Sequence, residues 1–182
     1  MHCLAVWVAL NVKGVPYREV HINLQDKPDW YKEIVPTTLV PAVKFVSDER
    51  VVWESQDILD EIESRFPDAP LLPPEGSEQR EHADVLIAKC PQVLQHGVRL
   101  SYPSANATAK DRSLAKLAFL TQLDELDALV AAAGGPFLSG ASFTLADAMY
   151  APMLERWAVQ VRMSQRLTVL LPPSSPCAQQ YL

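Results

Sequence analysis

Cysteine and basic charge are what this sequence has least of. Its three cysteines, Cys3, Cys90 and Cys177, are odd in number and widely separated. Such spacing excludes a disulfide framework, and without a Cys/His cluster at ligand spacing it excludes a zinc site as well. The thiols read as reduced residues of a cytoplasmic or organellar protein. Lysine and arginine total 16 against 22 aspartates and glutamates, a net charge of -6 that argues against nucleic acid or an anionic membrane as partner. No apolar run approaches the roughly 20 residues needed to cross a bilayer. The N-terminus lacks the basic region, apolar core and cleavage site of a signal peptide.

Proline is abundant instead. The fifteen prolines concentrate between Pro67 and Pro74 and between Pro172 and Pro176, marking a linker and a tail. A hydrophobic share of 48% and a charged share of 21% are those of an ordinary globular protein, and 182 residues suffice for one large domain or two small ones.

Residues 4–12 are apolar almost all round, which predicts a buried helix, ended by Lys13-Gly14. Alternation of Arg18, Val20 and Ile22 predicts a strand over 17–22. Pro28-Asp29-Trp30-Tyr31-Lys32 suits a short helix with proline in its first turn. A hairpin of strands 41–46 and 50–53 follows, around Ser47-Asp48-Glu49. From Ser55 a helix begins whose apolar stripe is Ile58, Ile62 and Phe66. The order opens on a helix, where a sheet domain would normally have a strand feeding it.

Beyond residue 77 the pattern is wholly helical. One helix is expected over 78–100, burying Val85, Leu86, Cys90, Val93, Leu94 and Val98 and kinked at Pro91. A second spans 109–132 and repeats leucine every three residues from Leu114 to Leu129, which reads as bundle core. Thr144 and Asp147 form a reciprocal cap for a third helix, which turns Tyr150, Met153, Leu154 and Trp157 to the core and fades near Arg162. The expected division is therefore a strand-helix domain over 1–70, a linker over 71–76, a helical domain over 77–162 and a flexible tail over 163–182.

The stretch from Thr38 to Ser55 says most about function. A proline heads its first strand, and Glu54 and Ser55 sit where its second strand meets a helix. That arrangement offers backbone and side-chain groups to a small peptide-like ligand.

Several motifs then recur in order: Val6-Trp7-Val8-Ala9-Leu10, Lys13-Gly14-Val15-Pro16-Tyr17, Asp26-Lys27-Pro28-Asp29-Trp30-Tyr31-Lys32, Leu39-Val40-Pro41 and Glu54-Ser55. Phe137-Leu138-Ser139-Gly140 and Phe143-Thr144-Leu145-Ala146-Asp147 follow in the helical half. Over about residues 4–162 they resemble the cytosolic glutathione transferases, closest to the lambda and omega classes. The resemblance implies α/β plus all-α architecture: a thioredoxin-like domain, here without its first strand, and then a helical bundle.

It implies glutathione as co-substrate and no metal. Val40 would offer its backbone to the cysteinyl part in antiparallel fashion, and Pro41 would follow a cis peptide bond. Glu54 would attract the ligand ammonium, Ser55 would hold the γ-glutamyl carboxylate at a helix N-terminus, and Lys27 would approach the glycyl carboxylate. Small apolar or glutathionylated substrates would bind between the domains, near Tyr102, Met153 and Trp157. Family members of this kind are monomers or homodimers.

One departure concerns the nucleophile. The cysteine of the family's Cys-Pro segment falls, by counting back from Gly14, immediately before Met1, and Cys3 matches the second cysteine of a Cys-Pro-x-Cys arrangement. Cys3 is thus a resolving-type position in the first turn of a helix, where dipole and free amides stabilise a thiolate. The implied activity is glutathione-dependent thiol transfer, deglutathionylation or conjugation, in redox and detoxification chemistry. The alternatives are a non-catalytic ligand-binding module or a shortened product with impaired activity. The cytoplasm is the expected location, with a plastid open if an N-terminal segment is missing.

Overall fold

The computed structural model describes residues 2–163, and the chain divides after Leu71 into two compact units. The tail expected over 163–182 lies outside the described residues from position 164 on, and Cys177 with it.

The first unit contains α1 (His2–Val12), α2 (Asp29–Ile34), β1 (Val43–Lys44), β2 (Val51–Val52) and α3 (Ser55–Arg65). α1 packs on α3. Its buried residues are Ala5, Val6, Ala9 and Leu10, which share one face at helical spacing, and they meet Ile58, Leu59 and Ile62 of α3. The all-round burial expected of α1 is corrected: Leu4, Trp7 and Val12 are 45%, 46% and 47% exposed. An apolar helix buries only the faces that find a neighbour. Gly14 (φ +64) ends α1 in the left-handed conformation, with the amide of Val15 donating to the carbonyl of Leu10 at 3.0 Å.

The strand expected over 17–22 does not form. Residues 15–23 are irregular, and Arg18 and Val20 are exposed. Alternation marks a face that a strand could bury, but a strand exists only by pairing, and the sheet among the described residues has just β1 and β2. The hairpin does form, antiparallel, with Val43 opposite Val52 and Lys44 opposite Val51. Its regular strands are shorter than expected, two residues each. Pro41 has no amide hydrogen to extend the ladder. The turn is held from α3: Arg65 bonds Asp48 at 2.6 Å and Ser47 at 3.2 Å, and stacks over the Phe45 ring at 4.3 Å.

A buried ion pair closes the unit. Lys13 Nζ lies 2.6 Å from Glu63 Oε2 and 2.7 Å from the Ala69 carbonyl, while the Leu71 amide donates to Glu63 Oε1 at 2.8 Å. The end of α1, the body of α3 and the chain after α3 are joined by these two side chains.

The second unit contains α4 (Glu78–Ser101), α5 (Ala109–Ala133) and α6 (Leu145–Met163), with α4 packed against both others. Ser77 caps α4 by accepting from the Arg80 amide, and Thr108 with Asp111 forms a capping box on α5. α4 buries Ala83, Leu86, Cys90, Val93 and Gly97, a three-four alternation that stays on one face. Val85 and Val98, expected inside, are off that face and exposed. α4 continues through Pro91 as one helix.

The leucine stripe of α5 is also corrected. Three residues turn a helix by about 300°, so a strict three-residue repeat drifts round the axis instead of keeping to one face. Leu123 and Leu126 are buried, but Leu114 and Leu117 are exposed, and the core is completed by Ala115, Phe119, Gln122 and Val130.

The cap before α6 is a buried network. Asp147 accepts the Thr144 amide at 2.8 Å and the Leu138 amide at 2.9 Å, and takes the Thr144 hydroxyl at 3.0 Å. Asp147 so fixes the 137–140 turn as well as the helix start.

Candidate functional site

Two helix N-termini meet in the first unit. His2 and Cys3 lie in the first turn of α1, and Ser55 is the first residue of α3. His2 Nδ1 is 3.1 Å from Ser55 Oγ. Each N-terminus presents backbone amides without helical partners and the positive end of a helix dipole, so the pair favours an anionic ligand. Partial burial holds the His2 imidazole below its ordinary pKa, and the nearby Glu54 carboxylate acts in the opposite direction. Cys3 is an exposed free thiol.

Glu54 is the N-cap residue of α3, with extended backbone and no side-chain cap bond, so its exposed carboxylate stays available beside Ser55. The segment before β1 adds a backbone element. The Val40–Pro41 peptide bond is cis, as the resemblance implied, and Thr38 adopts φ +54 just before it. The Thr38 amide is tied to the Val35 carbonyl at 2.8 Å, and the Leu39 carbonyl accepts the Tyr31 hydroxyl.

Tyr31, only 4% exposed, stands edge-on to Trp30 at 5.7 Å. Its phenol is raised above the ordinary value by burial first and by the charge of Cys3 second. Tyr31 therefore stands within electrostatic reach of Cys3 while bonding the residue beside Val40. Sequence reasoning gave it no role. The available signal was a tyrosine on the inward face of a short helix, whose hydroxyl must find a partner when buried.

The structure thus gathers Cys3, Glu54 and Ser55 at the two N-termini, and sets the Tyr31 hydroxyl on the Leu39 carbonyl, next to Val40 and Pro41. Lys27 is half-buried two residues ahead of α2, and no hydrogen bond or ion pair joins it to these groups among the described residues. In the second unit Tyr102 is exposed and accepts from Arg156 at 2.6 Å. Met153 and Trp157 are buried, Trp157 meeting Phe119 edge-on at 4.7 Å. Among the described residues, no group of three or more His, Cys, Asp or Glu is arranged to hold a metal, and no helix is long and apolar enough to cross a membrane.

Comparison with known proteins supplies the family and the fold. A family model described as glutathione S-transferase, N-terminal domain, matches residues 2–70, and one described as glutathione S-transferase, C-terminal domain, matches residues 107–179. Protein IN2-1 of Zea mays is 34% identical over 180 residues, spanning 97% of this chain and 68% of its own length. Glutathione S-transferase L2, chloroplastic, of Arabidopsis thaliana is 35% identical over 155 residues, spanning 83% of this chain and 48% of its own. Among solved structures, glutathione transferase Omega 3C from Trametes versicolor superposes with a TM-score of 0.81 at 22% identity, over 98% of this chain and 78% of that one. That likeness speaks to the fold: a thioredoxin-like first half and a helical second half.

Proposed function

This chain belongs to the glutathione transferase family, in the neighbourhood of its lambda and omega classes, and from that premise we propose that its first unit holds glutathione for thiol transfer. The Val40 backbone pairs with the cysteinyl part of the ligand. Glu54 meets its ammonium group, and Ser55, with its amide and hydroxyl at the start of α3, takes the γ-glutamyl carboxylate. Lys27 approaches the glycyl carboxylate.

The observation that carries this reading is the 3.1 Å contact between His2 and Ser55, which brings two unsatisfied helix N-termini to one place. An anionic peptide with a thiol matches that charge and shape. Supporting Cys3 as the reacting thiol are its exposure and its position next to His2.

In the proposed step the Cys3 thiolate attacks the glutathionyl sulfur of a mixed disulfide. The old S–S bond breaks, the substrate leaves as a thiolate and takes a proton, and Cys3 carries glutathione. A second glutathione thiolate attacks that sulfur, leaving as glutathione disulfide and restoring the Cys3 thiolate. Small glutathionyl conjugates are the substrates, a reducing compartment such as the cytoplasm or a plastid the setting, and a monomer or homodimer the working form.

Calorimetry with glutathione tests the binding half. Ser55→Ala removes a hydrogen bond to a charged group, worth about 1.5–3 kcal/mol, so the affinity should fall by roughly 10- to 100-fold. Disulfide-exchange assays test the chemical half. Cys3→Ser should abolish exchange and leave glutathione binding intact, whereas exchange that survives it would remove Cys3 from the mechanism. Binding without exchange in the parent chain would establish a ligand-holding module instead.

A further inference from the structure

We propose that Tyr31 is a positioning residue for glutathione, its hydroxyl holding the Leu39 carbonyl so that the adjoining Val40 backbone is presented to the ligand in one orientation. The inference rests on the reading of Val40 given above. Three observations carry it. Tyr31 is almost completely buried, so its hydroxyl needs a protein partner, and the Leu39 carbonyl is that partner. The segment it grips is irregular: Thr38 has a positive φ and the regular part of β1 begins only at Val43, so the sheet ladder does not fix residues 39–41. Finally, α2 is only six residues long, and the connection from its C-terminal end runs without regular structure to Val43, so contacts such as this one hold it.

The chemistry fits the task. A phenol whose pKa is raised by burial and by Cys3 remains a donor throughout the range in which a thiol transferase works. It never becomes an anion facing the Leu39 carbonyl. The Leu39 carbonyl, once engaged, fixes the peptide plane between Leu39 and Val40 and with it the direction of the Val40 amide. Tyr31 touches no ligand in this scheme. It acts through the backbone, at the point where a γ-glutamyl peptide would be read by main-chain hydrogen bonds.

The test compares glutathione with an analogue whose cysteinyl–glycyl peptide bond is replaced by a trans alkene, so that no cysteinyl carbonyl is present to accept from the Val40 amide. Calorimetry on the full chain should show that the parent prefers glutathione by about tenfold, the worth of one such hydrogen bond. In Tyr31→Phe, glutathione binding should weaken by a similar factor, analogue binding should stay unchanged, and the preference should vanish. Equal weakening of both ligands, or no weakening of either, overturns the inference. A parent chain that binds no glutathione overturns the Val40 reading itself, an outcome distinct from any change in the variant.

Should Y31F fail to melt cooperatively, trifluorotyrosine at position 31 supplies a second measurement, because it keeps the ring and hydroxyl and acidifies the phenol. Its glutathione affinity, taken relative to the parent at each pH, should fall as the phenol ionises. A ratio that stays flat with pH overturns the inference.

Discussion

His2 Nδ1 lies 3.1 Å from Ser55 Oγ, tying the first turn of α1 to the first turn of α3 across 53 positions of sequence. The contact joins the starts of two helices whose bodies pack through apolar faces and whose other ends are joined by Lys13 and Glu63. It also gives the first unit a pH dependence. Burial lowers the His2 pKa below its unfolded value of about 6.5, Glu54 opposing, so the unfolded chain binds the proton more readily. Stability is therefore full above that pH and declines as the pH falls toward the lower, folded value. The urea midpoint of the parent should drop more between pH 7.5 and pH 5 than that of His2→Gln; parallel pH profiles would show that His2 plays no part.

The Lys13–Glu63 pair makes a sharper stability prediction. Its side chains are 0% and 15% exposed, so removing one partner leaves a carboxylate nearly stripped of water. Lys13→Met should cost about 3–5 kcal/mol. Glu63→Gln keeps an acceptor for the Leu71 amide, so the double variant K13M/E63Q should recover a good part of that loss. A double-mutant cycle from urea denaturation measures the coupling, and additive losses would mean the pair is not interacting.

How far the sequence disclosed this depends on the kind of contact. Ile58 and Ile62 on α3 and the Gly14 stop on α1 were legible, because periodicity and a left-handed glycine are local signals. Glu54 and Ser55 were legible too, since a strand-to-helix junction places them. The supposed strand over 17–22 was not, because alternation records a face and says nothing about a pairing partner. Leu114 and Leu117 misled for a geometric reason: their three-residue repeat walks off the buried face that Leu123 and Leu126 occupy. The bond from Tyr31 to the Leu39 carbonyl depends on how residues 35–39 turn, and the positive φ of Thr38 has no glycine to announce it.

Cys90 and Cys3 should behave as opposite kinds of thiol. Burial in the face of α4 pushes the Cys90 thiol up to about 12, so at pH 8.5 its thiolate amounts to less than about one part in a thousand. Cys3 is exposed. Brief treatment of the native chain with iodoacetamide at pH 8.5, followed by peptide mapping, should label Cys3 and spare Cys90. Denaturant should then open Cys90 to the reagent, and native labelling of Cys90 at the rate of Cys3 would contradict its burial.

Gly97 provides the last test, on the helical unit. A Cβ built there would lie 1.9 Å from Cζ2, 2.3 Å from Cε2 and 2.5 Å from Cη2 of Trp157, well inside contact distance. The ring has little room to yield, since Trp157 is buried and packed edge-on against Phe119. Overpacking of this kind costs about 1–3 kcal/mol, partly offset by the roughly 1 kcal/mol that alanine gains over glycine within a helix. Gly97→Ala should therefore be no more stable than the parent, and less stable by up to about 2 kcal/mol. Elsewhere on an exposed helix face the same substitution would stabilise, so the sign of the change is the diagnostic. The double variant G97A/W157F replaces the indole by a smaller ring and removes the clashing benzo edge. Its midpoint should exceed that expected from adding the two single losses, and a G97A chain more stable than the parent would mean that α4 and α6 do not meet at this pair.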